Sequence, residues 1–166
     1  MKTAGILVAL TWMATCFASV SPGSRQEAEY YVAAYSQHYG LPLEFVRAVI
    51  EQESGWQRCA VSQKGAEGLM QLMPDTAKNL GVLNRCDPDQ NISGGVRLLA
   101  RLARKFRGDL RLAAAAYYAG AKAIEKRGLD YANPDVIAYV ASIRARVELQ
   151  RRLRNSSLHP IPGGAR

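Results

Sequence analysis

An all-α fold is predicted by three features of the sequence. Apolar residues recur at spacings of three and four through most of the chain, glycines punctuate the ends of those stretches, and no segment alternates apolar with polar residues as a half-buried strand would. Ser24 is expected to cap a first helix, with Glu27 three residues later and Gly40 as its stop. Pro42 suits the first turn of a second helix, in which Leu43, Val46 and Ile50 mark the inward stripe. Asp75 to Leu80 reads as a short helix closed by Gly81. Asn91 to Phe106 follows, with Val96, Leu98, Leu99, Leu102, Ala103 and Phe106 as its apolar positions. Asp109 caps a helix over Leu110 to Ala119, and Pro134 to Leu153 forms the last, with Val136, Val140, Ile143, Val147 and Leu153 turned inward. The sequence contains no internal repeat and gives no sign of a second domain.

The two ends have a different character. Lys2, the apolar run Ala4 to Leu10 and the stretch Thr11 to Ala18 have the order of a secretory signal. Residues 1–18 are therefore expected to be cleaved, and the protein to be exported and periplasmic. Removing them leaves about 145 residues, enough for one domain with a sizeable core. That domain is expected over residues 24–154. Residues 155–166, with two prolines and two glycines, read as a mobile tail. Met13-Ala14-Thr15 before Cys16 does not match a lipoprotein signal. Cys59 and Cys86 then remain, and an even count in an exported chain favours a disulfide between them. His38 and His159 stand far apart and away from the cysteines at ligand spacing, so neither a metal site nor a cofactor is expected.

The net charge is +8, with arginines crowded at Arg144, Arg146, Arg151, Arg152 and Arg154. Such an excess draws a protein toward an anionic polymer. Nucleic acid is excluded as the expected partner, because no reader motif or aromatic stacking platform accompanies the charge.

The candidate for chemistry is Glu53. It continues the stripe of Leu43, Val46 and Ile50, so its carboxylate loses water. Gly55 two residues later ends the helix and leaves Glu53 at the negative end of the helix dipole. Both effects favour the protonated form, which a general acid needs near neutral pH. Gly68 permits a close backbone approach, and Gln71 carries an amide able to meet a sugar acetamido or hydroxyl group.

Glu53-Ser54, then Ser62, Gly65-Ala66, Gly68-Leu69-Met70-Gln71-Leu72-Met73-Pro74 and Ala116-Tyr117-Tyr118-Ala119-Gly120, in this order and spacing, resemble the soluble lytic transglycosylases. The resemblance covers roughly residues 40–145 and implies a goose-type-lysozyme-like fold that acts on peptidoglycan. It further implies Glu53 as the catalytic acid, Ser62 and Gln71 as substrate contacts, Met73 as a cleft lining and Tyr117 as a tyrosine near the acid. Two positions depart from the family pattern. Tyr118 stands where an asparagine is usual, and Asp135, one methylene shorter, takes the place of an acidic residue ahead of Tyr139-Val140.

A glycosidase normally uses two carboxylates. None besides Glu53 is obvious: Glu51 points elsewhere on the helix and Glu67 lies in a turn. The substrate's own acetamido oxygen can supply the second group, and the resemblance then implies an anhydro-sugar product formed without water. The alternatives are a muramidase of the same fold and a non-catalytic wall-binding assembly factor. Peptidoglycan strands are the expected partner, with secretion, conjugation or pilus assembly proteins as further partners implied by the resemblance.

Overall fold

The computed structural model describes residues 22–128 and 132–158, and among them helices account for nearly all regular structure. In chain order these are α1 (Pro22–Tyr39), α2 (Leu43–Ser54), α3 (Pro74–Leu80), α4 (Pro88–Lys105), α5 (Leu110–Ala119), α6 (Ala121–Arg127) and α7 (Pro134–Leu158). The all-α expectation holds; isolated bridges pair Val61 with Glu67 and Glu67 with Leu72, and neither extends into a strand. None of the described helices is long and apolar enough to cross a membrane. The expected signal, residues 1–18, lies outside the described residues.

α2 carries the inward stripe that the sequence predicted. Val46, Ala48, Val49 and Ile50 are fully buried, because the helix is covered by α1 on one side and α7 on the other. α7 runs antiparallel to it, with Arg154 paired to Glu44 at one end and Tyr139 bonded to Glu53 at the other. α5 lies between α4 and α7. Its run Ala113 to Ala116 is buried on successive positions, as a helix flanked by neighbours requires, and the small side chains let those neighbours approach. Ile92, Val96 and Leu99 of α4 and Val136, Tyr139 and Ile143 of α7 complete the core. Leu72, Ala77, Leu80 and Val82 form a smaller cluster beneath α3.

Several boundaries differ from the sequence reading. α1 begins at Pro22, so Ser24 lies within the helix rather than capping it, and Pro42 is the residue preceding α2 rather than part of its first turn. α4 begins at Pro88, ahead of the expected Asn91, because the Asp87 side chain accepts the Gln90 N–H at 2.9 Å and Pro88 suits a first turn. α6 was not anticipated. The expected helix over Leu110 to Ala119 ends where the sequence placed it, but the Gly120 backbone (φ 85°, ψ 142°) turns the chain directly into a further helix. α7 continues to Leu158, four residues into the stretch read as tail, and the Arg154 to Glu44 ion pair holds its last turns against α2. Leu153, expected to face inward, is 60% exposed.

Candidate active site

Glu53 occupies the last turn of α2. Gly55 closes that helix in the left-handed conformation (φ 56°), which costs glycine little, and its N–H bonds to the Glu51 carbonyl at 3.1 Å. Ser54 Oγ accepts the Trp56 N–H at 3.1 Å, and Trp56 is buried beneath the Arg25 guanidinium. The turn is thus fixed from both sides, and Glu53 is left half-buried against α7.

There the Tyr139 hydroxyl donates to Glu53 Oε1. Burial raises the Glu53 pKa from 4.5 to about 7, and the Tyr139 hydrogen bond works in the opposite direction by stabilising the carboxylate. Desolvation wins. Near neutral pH the carboxyl is therefore divided between its acid and base forms. Oε2 remains to carry the proton.

Two more tyrosines stand beside Tyr139. Tyr117, at the end of α5, donates its hydroxyl to the Met70 carbonyl at 2.7 Å. Burial, and then the Glu53 charge, hold its pKa well above the ordinary tyrosine value, so it stays a neutral donor. Burial does the same for Tyr139. The neighbouring Tyr118 is half exposed, and its ring lies 4.8 Å from that of Tyr139 at an angle of 31°. The phenol that stands in for the usual asparagine therefore covers the tyrosine that bonds Glu53.

The loop between α2 and α3 carries Ser62, Gly68, Gln71 and Met73. Gly68 sits at φ 86°, where a β-carbon would lie 2.2 Å from both the Arg85 carbonyl and Asn91 Nδ2. The close approach expected at Gly68 is thus to the protein's own Arg85 carbonyl and to Asn91 of α4. Asn91 is fully buried and satisfied: its oxygen accepts the Met70 N–H at 2.8 Å, while its nitrogen donates to Glu67 O at 3.1 Å and Arg85 O at 2.8 Å. Arg85 adds bonds to Gly65 O (2.7 Å) and Leu72 O (3.0 Å) and an ion pair with Glu67 (2.7 Å). Cys59 and Cys86 are joined, with their Cα atoms 4.8 Å apart, and tie the start of the loop to the turn before α4.

This framework alters the roles expected for two residues. Gln71 adopts φ 46°, and its amide nitrogen donates to Ala60 O at 2.8 Å and Gly68 O at 2.9 Å. Both amide protons brace the loop, so only the carbonyl oxygen is available to a sugar. Ser62 Oγ accepts the Ala66 N–H at 3.0 Å, closing its own turn and keeping its O–H for another acceptor. Met73 is 42% exposed immediately before α3. Asp135 is exposed in the first turn of α7, four residues before Tyr139, and no hydrogen bond joins its carboxylate to the cluster among the described residues.

Glu53, Tyr117, Tyr118 and Tyr139 are brought together from three helices. Tyr139, Asn91 and Arg85 escaped the sequence reading as parts of the site. Asn91 and Tyr139 did leave a signal, since each places a polar group on an otherwise apolar helix face, and a buried polar group needs a partner.

The Transglycosylase SLT domain profile matches residues 30–138, from α1 into α7. The chain is 45% identical over 89 residues to a transglycosylase of Enterobacteria phage PRD1, a match covering 54% of this chain and 33% of that protein. It is 41% identical over 91 residues to a membrane-bound lytic murein transglycosylase F of Alkalilimnicola ehrlichii, covering 51% and 18%. The chain thus spans a third or less of the length of these relatives. Among solved structures, the lytic transglycosylase Slt of Pseudomonas aeruginosa superposes with a TM-score of 0.68 at 25% identity, over 76% of this chain and 24% of that one. The soluble lytic transglycosylase of Escherichia coli gives 0.68 at 24% identity, over 75% and 24%. Sequence and fold agree, and the chain belongs to the transglycosylase SLT family.

Proposed function

We propose that this protein is a peptidoglycan lytic transglycosylase, with Glu53 as its one catalytic acid and base. The observation that carries the reading is a half-buried glutamic acid with a pKa near 7, whose protonation is governed by burial and by the Tyr139 hydroxyl. No other carboxylate among the described residues bears on it; Glu51 is exposed, and Glu67 is paired with Arg85.

In the first step Glu53 gives its proton to the glycosidic oxygen between N-acetylmuramic acid and N-acetylglucosamine, and the bond from that oxygen to C1 breaks. The acetamido oxygen of the muramoyl sugar attacks C1 and takes the place of a second carboxylate. Glu53, now ionised, removes the proton of the C6 hydroxyl, and O6 closes on C1. The acetamido oxygen leaves, giving a 1,6-anhydro end without consuming water. Glu53 recovers its proton in the second step, so the cycle is balanced. Tyr139 stabilises the ionised form between the steps, and Tyr118 covers the approach to Tyr139. The Gln71 carbonyl, Ser62 and Met73 line the loop side of the cleft in this reading, and Asp135 its α7 side.

Export to the periplasm fits a substrate outside the cytoplasm and the Cys59–Cys86 disulfide. Opening the wall for a secretion, conjugation or pilus apparatus is the setting that the sequence resemblance supports. Digestion of purified sacculi in ¹⁸O-labelled water, read by mass spectrometry, tests the chemistry. Unlabelled anhydro-muropeptides are expected. Labelled reducing-end muramic acid would assign a muramidase instead, and intact sacculi a wall-binding factor.

A further inference from the structure

Away from Glu53, α1 presents an aromatic strip that the reaction does not use. Tyr31, Tyr35 and Tyr39 recur at every fourth position and so share one face of the helix. All three are half-buried. Successive ring centroids are 6.4 Å apart and nearly parallel, at 20° and 26°. Tyr30, 71% exposed, meets the edge of Tyr31 at 5.5 Å.

Tyr35 also lines an open cavity of about 380 Å³ between α1, α4 and the turn after α3. Its α4 wall supplies Asp89, Gln90, Ser93 and Arg97. The Tyr35 hydroxyl donates to Asp89 Oδ1 at 2.5 Å. Arg97 donates to the Leu80 carbonyl, while its buried Nε–H has no partner among the described residues.

These groups select a class of ligand. A carboxylate and a guanidinium on one wall disfavour an anion and a cation alike, whereas a neutral molecule rich in hydroxyls pairs with both, donating to Asp89 and accepting from Arg97. Tyrosine offers an apolar ring beside a polar tip, which matches the two kinds of surface a pyranose presents. A few placed polar groups beside apolar rings are the usual composition of a small-ligand site. The cavity shares no residue with the Glu53 cluster.

We propose that the α1 tyrosine strip and the cavity beside Tyr35 form a second glycan-binding site, which holds a strand of the substrate polymer apart from the cleavage site. The choice of a wall glycan rests on the function proposed above; the neutral, hydroxyl-rich character does not. The site anchors the protein on its insoluble substrate and plays no part in breaking the bond.

The test uses the Glu53→Gln protein, which binds without cutting, titrated with an N-acetylglucosamine tetrasaccharide and followed by backbone amide NMR. Saturable shifts are expected at Tyr35, Asp89, Ser93 and Arg97 as well as around Glu53. Tyr31→Ala and Asp89→Asn, each in the Glu53→Gln background, should abolish the first group of shifts, leave the second, and weaken co-sedimentation with sacculi by about tenfold. In the otherwise unchanged enzyme the same two substitutions should leave turnover of a soluble peptidoglycan fragment within about twofold. Shifts confined to the Glu53 cluster would overturn the second site and leave the proposed function standing. Shifts confined to the α1–α4 cavity would support the second site and count against the cleft. Absence of any shift would overturn both.

Discussion

At the residue scale, the protonation of Glu53 connects stability with activity. In the fold its pKa is about 7 against 4.5 for the free side chain, so the native state binds the proton more tightly than the unfolded chain does. Stability is consequently lost as pH rises from about 4.5 through 7, by about 3 kcal/mol once Glu53 is fully ionised. Glu53→Gln keeps the shape and can still accept from Tyr139, but it cannot ionise. Thermal melts should show the variant close to the wild type at about pH 4 and more stable above about pH 7. The same variant should lose cleavage by about 10² to 10⁴ in rate, measured on sacculi. Tyr139→Phe removes the hydrogen bond that favours the carboxylate, so the Glu53 pKa should rise further. The alkaline limb of kcat/KM, which falls as the acid loses its proton near pH 7, should then move to higher pH. An unmoved limb would mean that another group sets it.

At the element scale, the loop between α2 and α3 is closed by its own hydrogen bonds and pinned to α4 by one side chain, Asn91. Asn91 satisfies the Met70 N–H and the Glu67 and Arg85 carbonyls from within the helix, and Met70 in turn receives the Tyr117 hydroxyl. Asn91→Ala would strand the buried Met70 N–H, at about 1–3 kcal/mol, and take a donor from the Arg85 carbonyl, while the Glu67 carbonyl keeps the Leu72 N–H. Melting temperature is expected to fall, and amide exchange at Met70 to accelerate. Cleavage should fall with them, because Tyr117 loses its fixed acceptor beside Glu53. Unchanged exchange at Met70 would show that the loop holds its shape without Asn91. Gln71 belongs to the same framework, since its amide protons compensate an unfavourable backbone conformation (φ 46°).

At the scale of the whole molecule, the site lies where the antiparallel pair α2 and α7 meets the end of α5, and the covalent tie between Cys59 and Cys86 closes the connection that faces it. With 27 residues of sequence separation, the bond restricts the unfolded chain by about 3.5 kcal/mol in the chain-entropy account. Cys59→Ser and Cys86→Ser should therefore lower thermal stability alike, and the unreduced protein should show no reactive thiol at either position. A free thiol titre of two would overturn the bridge. Equal losses are expected because either change opens the same loop.

The sequence by itself determined the helical class, the glycine-closed ends of α1, α2 and α3 and the position of Glu53 in a terminal turn, because periodicity, capping residues and glycine stops act over a few neighbours. It also placed Cys59 and Cys86 as a pair. The tertiary structure alone decided what Glu53 meets. Tyr139 lies 86 residues away, and its approach depends on the antiparallel packing of α7 on α2, which no local pattern encodes. The same holds for Gln71, read as a sugar contact from its chemistry and found to spend its amide protons on Ala60 and Gly68. Leu153 fitted an inward stripe but is 60% exposed, although Arg154 beside it still pairs with Glu44 of α2. Local chemistry fixes which groups can act, and only packing between distant segments removes water from one carboxyl and supplies its partner.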